Sequence, residues 1–182
     1  MKHLMMALVI SFSAFSQDSE RSNFFKENYT STTTLGIVGN YDGRFSNEGE
    51  SKIQKGLAVE VNTLHGLFFF NYVSVSVGLG IDWNIDRTFW TLPVLADLRV
   101  YFNEHGNDNS PFVFLQMGKN IQINNVFKEG RPVKLGVGIT LEESERLQYI
   151  LEMHKKFKEV VFIGERGFYN VTGFGVSFGI KF

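Results

Sequence analysis

Strict alternation of bulky apolar residues with small or polar ones recurs through this chain of 182 residues, and it restricts the fold more than any other feature. The stretch "YVSVSVGLGIDW" (72–83) sets Val73, Val75, Val77, Leu79, Ile81 and Trp83 against Ser74, Ser76, Gly78, Gly80 and Asp82. Successive side chains of a β-strand point to opposite faces, so a period of two predicts a strand with one greasy face and one nearly bare face. The same pattern occupies 32–41, 55–65, 89–102, 132–141 and the closing "GFGVSFGIKF" (173–182). Residues 111–120 read as a strand whose faces are not distinguished, because both are apolar at its start. Breaks such as "DGRFSNEGES" (42–51) and "EHGNDNS" (104–110) separate the strands with turn-forming residues.

Residues 140–162 fit two periods. Thr140 and Glu143 form a capping box, and Leu147, Ile150, Leu151, His154 and Phe157 follow at helical spacing. As a strand, the segment places Leu147, Tyr149, Leu151 and Met153 opposite Gln148, Glu152, His154 and Lys156. Local propensity leaves 142–160 open between helix and strand. Topology selects the strand, because the other segments number seven and a closed antiparallel meander takes an even count.

The expected fold is therefore all-β: an eight-stranded antiparallel up-and-down barrel, closed because an open sheet would leave unpaired edges. Its interior has room for modest side chains or one small ligand. Four to six large apolar residues per strand, many of them among the 19 Phe, overfill that space, whereas Gly, Ser and Thr suit it. The greasy face is thus expected outside, in lipid, which makes the barrel a transmembrane one. Trp83, Trp90, Tyr41, Phe102 and Phe182 fall near strand ends, where aromatic girdles sit. A soluble, lipocalin-like periplasmic binding barrel requires the opposite orientation and stands as the alternative.

The N-terminal "MKHLMMALVISFSAFSQ" has a basic start, an apolar run of about 12 residues and small residues before Gln17. It reads as a signal peptide over 1–16, followed by a short periplasmic lead-in over 17–29 and the barrel over 30–182. The apolar run is too short to span a bilayer as a helix. The absence of cysteine rules out disulfides, thiolate metal sites and a cysteine nucleophile, and a net charge of -1 gives no footprint for nucleic acid.

The last strand places Phe174, Val176, Phe178, Ile180 and Phe182 at alternate positions and stops on the aromatic. In this it resembles bacterial outer-membrane barrels, whose final strand carries the signal read by the barrel-assembly machinery. The His-Gly after strand two, Gly-Leu-Gly in strand three, Leu-Pro-Val followed by Ala-Asp-Leu-Arg in strand four and the Pro-Phe-Val entry to strand five narrow the likeness. Together they resemble the small outer-membrane β-barrel family abundant in Bacteroidetes, of OmpA/OmpX-like architecture, over about 30–182. The resemblance implies eight strands, periplasmic termini and an outer-membrane location; it implies no single activity.

By alternation the lumen receives Glu60, Asp82, Asp97, Arg99, Lys134, Glu152, His154, Lys156 and Lys181. Charges of both signs in a narrow interior are expected to pair, since an unpaired one costs several kcal/mol. Such a network closes the lumen; a narrow ion path gated by His154 is the functional alternative. His65 and His105 fall at presumed periplasmic turns, no pair of histidines has metal-ligand spacing, and no G-x-S-x-G motif occurs. No enzymatic activity, cofactor or metal is expected. The expected partners are outer-membrane lipid, the assembly machinery and a larger outer-membrane complex, with 42–52, 84–88, 120–131 and 159–170 as outward loops. In those loops Phe45, Phe127 and Phe168-Tyr169 mark either partner contacts or the lipid boundary. The roles that follow are a structural or accessory subunit, a binding platform or a small passive channel.

Overall fold

Each alternating segment hydrogen-bonds to its neighbours in sequence, and the last returns to the first. The computed structural model describes residues 25, 27–45, 54–85, 89–104, 109–121, 127–144, 147–162 and 167–182. They form β1 (Tyr29–Phe45), β2 (Gln54–Phe69), β3 (Val73–Asn84), β4 (Phe89–Tyr101), β5 (Ser110–Ile121), β6 (Phe127–Ser144), β7 (Leu147–Phe162) and β8 (Phe168–Lys181). All neighbours are antiparallel, and β1 pairs with both β2 and β8, which closes the barrel. Closure is completed at the last residue: Phe182 N donates to Ser31 O at 2.9 Å and Ser31 N to Phe182 O at 3.0 Å. No backbone edge is left along that seam, as a bilayer interior requires.

Residues 147–162 are a strand. Their pairing runs from Ser144↔Leu147 to Phe127↔Phe162 on one side and from Gln148↔Lys181 to Val161↔Phe168 on the other. Thr140 and Glu143, which read as a helix cap, instead extend β6. Two flanking ladders satisfy more backbone groups than one isolated helix would, and they override a weak local preference.

Several expected boundaries shift. The strands run beyond their alternating cores, so the expected loops 42–52, 120–131 and 159–170 lose their ends to β1, β5, β6, β7 and β8. Tyr29, assigned to the lead-in, opens β1. His65 is not in a turn but on β2, directly opposite Ser31. Tyr169 is not a surface aromatic: β8 begins at Phe168, so alternation turns the Tyr169 ring inward, edge-on to Phe89 at 6.4 Å. The signal-peptide segment 1–16, residues 17–24 and 26 of the lead-in, and His105 lie outside the described residues.

Burial alternates with a period of two on every strand. On β5 it resolves the ambiguous start, with Phe112 and Phe114 inside and Pro111 and Val113 outside. Large apolar residues on the outside include Val77, Leu135, Met153, Phe174 and Phe178. Trp83 and Trp90 pair across β3 and β4 at the loop end, while Phe69, Phe102 and Phe182 mark the end where β1 begins and β8 finishes. At that end the β2–β3 turn holds Phe70 and Asn71 at φ of 53° and 61°, and Tyr72 OH donates to Glu104 Oε1 at 2.9 Å, tying two neighbouring turns together. Strand lengths are unequal: β3, β4 and β5 have 12, 13 and 12 residues, whereas β1, β2, β6 and β7 have 16 to 18. At about 3.3 Å per residue and about 40° of tilt, 12 residues rise about 30 Å, enough to cross a hydrocarbon layer.

Candidate functional site in the barrel interior

The inner face is built from every second residue of each strand, and all nine charged residues expected there are buried. Glu60 on β2 is the centre of the first cluster. It accepts a hydrogen bond from Lys134 Nζ on β6 and another, at 2.7 Å, from Lys156 Nζ on β7. Lys156 also donates to Asp82 on β3, and Lys158 donates to Asp82 Oδ2 at 2.9 Å and to Thr91 Oγ1 at 2.8 Å. His154 Nε2 stands 3.5 Å from Glu60 Oε1, too far for a good hydrogen bond, with its ring edge-on to Phe114.

A second cluster surrounds Arg99 on β4. Its Nε donates to Asp97 Oδ1 at 2.8 Å, and Gln116 Nε2 donates to the other oxygen of Asp97 at 3.3 Å. Arg99 Nη2 lies 2.8 Å from Glu152 Oε1 outside hydrogen-bond alignment, so this contact is an ion pair only. The guanidinium lies over Phe112 and Phe114, at 5.1 and 5.6 Å from the ring centres. These rings belong to an apolar group with Phe68, Tyr101 and Ile150 that fills the terminal end of the barrel.

Eight of the nine expected residues thus join one of two ion-paired clusters, with His154 at the edge of the first. Lys181 departs from the expectation. It has no carboxylate within ion-pair distance among the described residues and sits over Phe68 at 4.6 Å and Tyr101 at 5.0 Å. The ring faces supply a partial negative charge there.

Sequence reasoning missed Lys158, Gln116 and the aromatic group. Lys158 continues the series Glu152, His154, Lys156 by one more step of two and was readable on that ground. Tyr101 continues Asp97 and Arg99 by the same step, whereas Phe112 and Phe114 carried no such signal, because both faces of their strand are apolar at its start. Small residues opposite make room for them. A Cβ on Gly136 would stand 2.7 Å from Phe114 Cε1, and one on Gly175 would stand 2.5 Å from His154 Nε2.

No metal-binding group of three or more His, Cys, Asp or Glu is present among the described residues. No helix of the described residues is long and apolar enough to cross a membrane, which has no bearing on crossing by strands.

Comparison with family models gives no match, and neither does comparison with curated proteins. Solved structures do match. Neisserial surface protein A, at 11% identity, covers 84% of this chain and 95% of its own length with a TM-score of 0.56. The outer membrane protein OprG from Pseudomonas aeruginosa aligns at 9% identity over 85% of this chain and 94% of its own, with a TM-score of 0.46. The N-terminal β-barrel domain of OprF from the same organism aligns at 15% identity over 83% and 97%, with a TM-score of 0.41. The fold is that of the small eight-stranded outer-membrane β-barrels. Only the first of these likenesses is close enough to carry that statement, and at such identity it extends to the fold alone.

Proposed function

We propose that this chain is an integral outer-membrane β-barrel without enzymatic activity, closed inside by its own side chains, that serves as a structural or accessory subunit or as a platform presenting its loops. The observation that carries this reading is the inverted polarity of the barrel. Phe174, Val176 and Phe178 point out of β8, while Glu60, Asp82, Lys156 and Lys158 are enclosed. A soluble barrel of this size would bury the former and expose the latter; apolar surface on that scale is stable only in lipid. The resemblance to Bacteroidetes-type barrels rests on the sequence motifs, and on that resemblance the termini would face the periplasm and the opposite loops the cell exterior.

Closure of the lumen is supported by ion pairs that run from wall to wall, since eight strands enclose little more than these side chains occupy. Planar-bilayer recording tests it: the purified barrel should give no unitary conductance, and steady channels would replace the plug with the passive-pore reading. Fractionation tests the membrane reading: release requires detergent, and recovery in the periplasmic supernatant would replace it with the soluble carrier. The absence of catalysis rests on the histidines, with His65 held by Tyr29 OH at 2.7 Å and His154 enclosed. Unchanged lipid A on overexpression is the expected result. The outer face of β8, with Phe182 last, serves as the assembly signal, so Phe182→Ala should lower the folded yield in cells.

A further inference from the structure

Among the described residues, Lys155 is a cation on the outer belt where the alternation calls for a hydrocarbon. Lys155 stands on the outward side of β7, with Met153 and Phe157 as its neighbours on the strand and Leu135 and Phe174 as its partners across it. All four are apolar, and Leu135, Met153 and Phe174 are about 60% exposed on the lipid side. Lys155 Nζ lies 4.9 Å from the Phe157 ring centre and 5.9 Å from that of Phe174, so the stem carries its charge toward the loop end. Directly above lies an open groove of about 210 Å³ whose walls include Arg131, Phe157, Glu159, Asn170 and Thr172.

The neighbouring ladder explains why the surface is shaped this way. Pairing of β5 with β6 runs from Ser110↔Thr140 to Met117↔Val133 and goes no farther toward the loop end among the described residues. Continued register would set Gly118 against Pro132, which has no N–H to give, and Lys119 against Arg131, two like charges face to face. Lys119 has Glu129 at 3.8 Å, and Arg131 stands opposite Glu159 in the β6–β7 ladder. Lys155 has no carboxylate within ion-pair distance among the described residues. A cation in a lipid-facing belt without a protein counter-ion takes its counter-charge from elsewhere.

We propose that Lys155 and Arg131 bind the phosphate of a lipid headgroup in the leaflet at the loop end, with the groove above Phe157 receiving the polar head and Phe157 and Phe174 lying along its acyl chains. Arg131 and Lys155 sit two residues either side of the Val133↔Phe157 pair. They are therefore about 13 Å apart along the strands at the β rise, a span that two long side chains close on one headgroup. Glu159 shares the groove and weakens the site by repulsion. This inference rests on the membrane reading given above.

The test reconstitutes the full chain in phosphatidylcholine vesicles, with or without a phosphomonoester lipid (phosphatidic acid), and reads tightly retained lipid by native mass spectrometry. The wild-type chain should retain phosphatidic acid over phosphatidylcholine. Lys155→Met and Arg131→Gln should each lose about fivefold of that preference, the effect of one cation near a membrane surface. Glu159→Gln should increase it, and Lys55→Gln on β2 should leave it unchanged. Equal retention by the wild type and Lys155→Met overturns the site, as does equal competition by inorganic phosphate, which would make the groove a phosphate site without lipid specificity. A chain that inserts into neither vesicle overturns the membrane reading itself, an outcome separable from insertion without lipid preference.

Discussion

Lys158 Nζ on β7 lies 2.9 Å from Asp82 Oδ2 on β3, and these two strands stand opposite one another in the closed barrel. Glu60 and Lys134 join β2 to β6 in the same way. Neither pair of strands shares a backbone hydrogen bond, so these ion pairs are struts across the barrel. They resist ovalisation, a deformation that leaves every β-ladder intact.

Removal of Lys156 is the most damaging single change expected in the interior. It donates to both Glu60 and Asp82, and Lys156→Met leaves two buried carboxylates sharing fewer cations. Breaking a buried pair from one side costs about 3–5 kcal/mol. Urea unfolding in vesicles should show a loss of that size. A loss under about 1 kcal/mol, the worth of an exposed pair, would mean that water reaches these groups.

Charge on the outer face should cost most at mid-height. Val77 lies midway along β3 on the outside, and Val77→Arg should cost about 2–4 kcal/mol, against about 0–1 for Phe102→Arg just beyond the end of β4. Equal costs at the two positions would contradict a lipid-facing belt.

Gly175 is small because His154 needs the space, and Gly175→Val should overpack the interior by about 1–3 kcal/mol. His154→Ala in the same chain should restore much of the loss. Without such rescue, the penalty comes from Val38, whose Cγ2 is 2.9 Å from the same Cβ position, or from the β8 backbone, and not from the imidazole.

The turn contact between Tyr72 and Glu104 has a pH signature. The hydrogen bond to Glu104 holds the Tyr72 phenol above its ordinary range, as does the nearby carboxylate charge. A raised value means the neutral form is favoured in the folded state, so the contact persists at lower pH and is lost as pH rises through the phenol titration. Phenolate absorbance should show Glu104→Gln lowering one tyrosine titration and Tyr72→Phe removing it.

The orientation of the strands was readable because alternation is a local property. Val77 and Ser76 announce opposite faces without reference to anything else, and the same step of two places Glu60, Asp82 and Lys156 together inside. What alternation does not encode is who meets whom across the interior. That Lys156 reaches β2 and β3 depends on the stagger of the ladders, a relation among residues 74 to 96 positions apart in sequence. The Thr140–Glu143 capping signal favoured a helix only locally; topology selected the strand, and the two ladders of β7 bear that choice out. Lys181 was expected in an ion pair because charges of both signs share the interior, and it meets instead the rings of Phe68 and Tyr101.

Unequal strand lengths give this cylinder a front and a back. Where β3, β4 and β5 stop, the rim forms a low sill, while β1, β2, β6 and β7 rise behind it as a parapet. A neighbour drifting in the plane of the membrane thus meets, among the described residues, a different strand profile from each side.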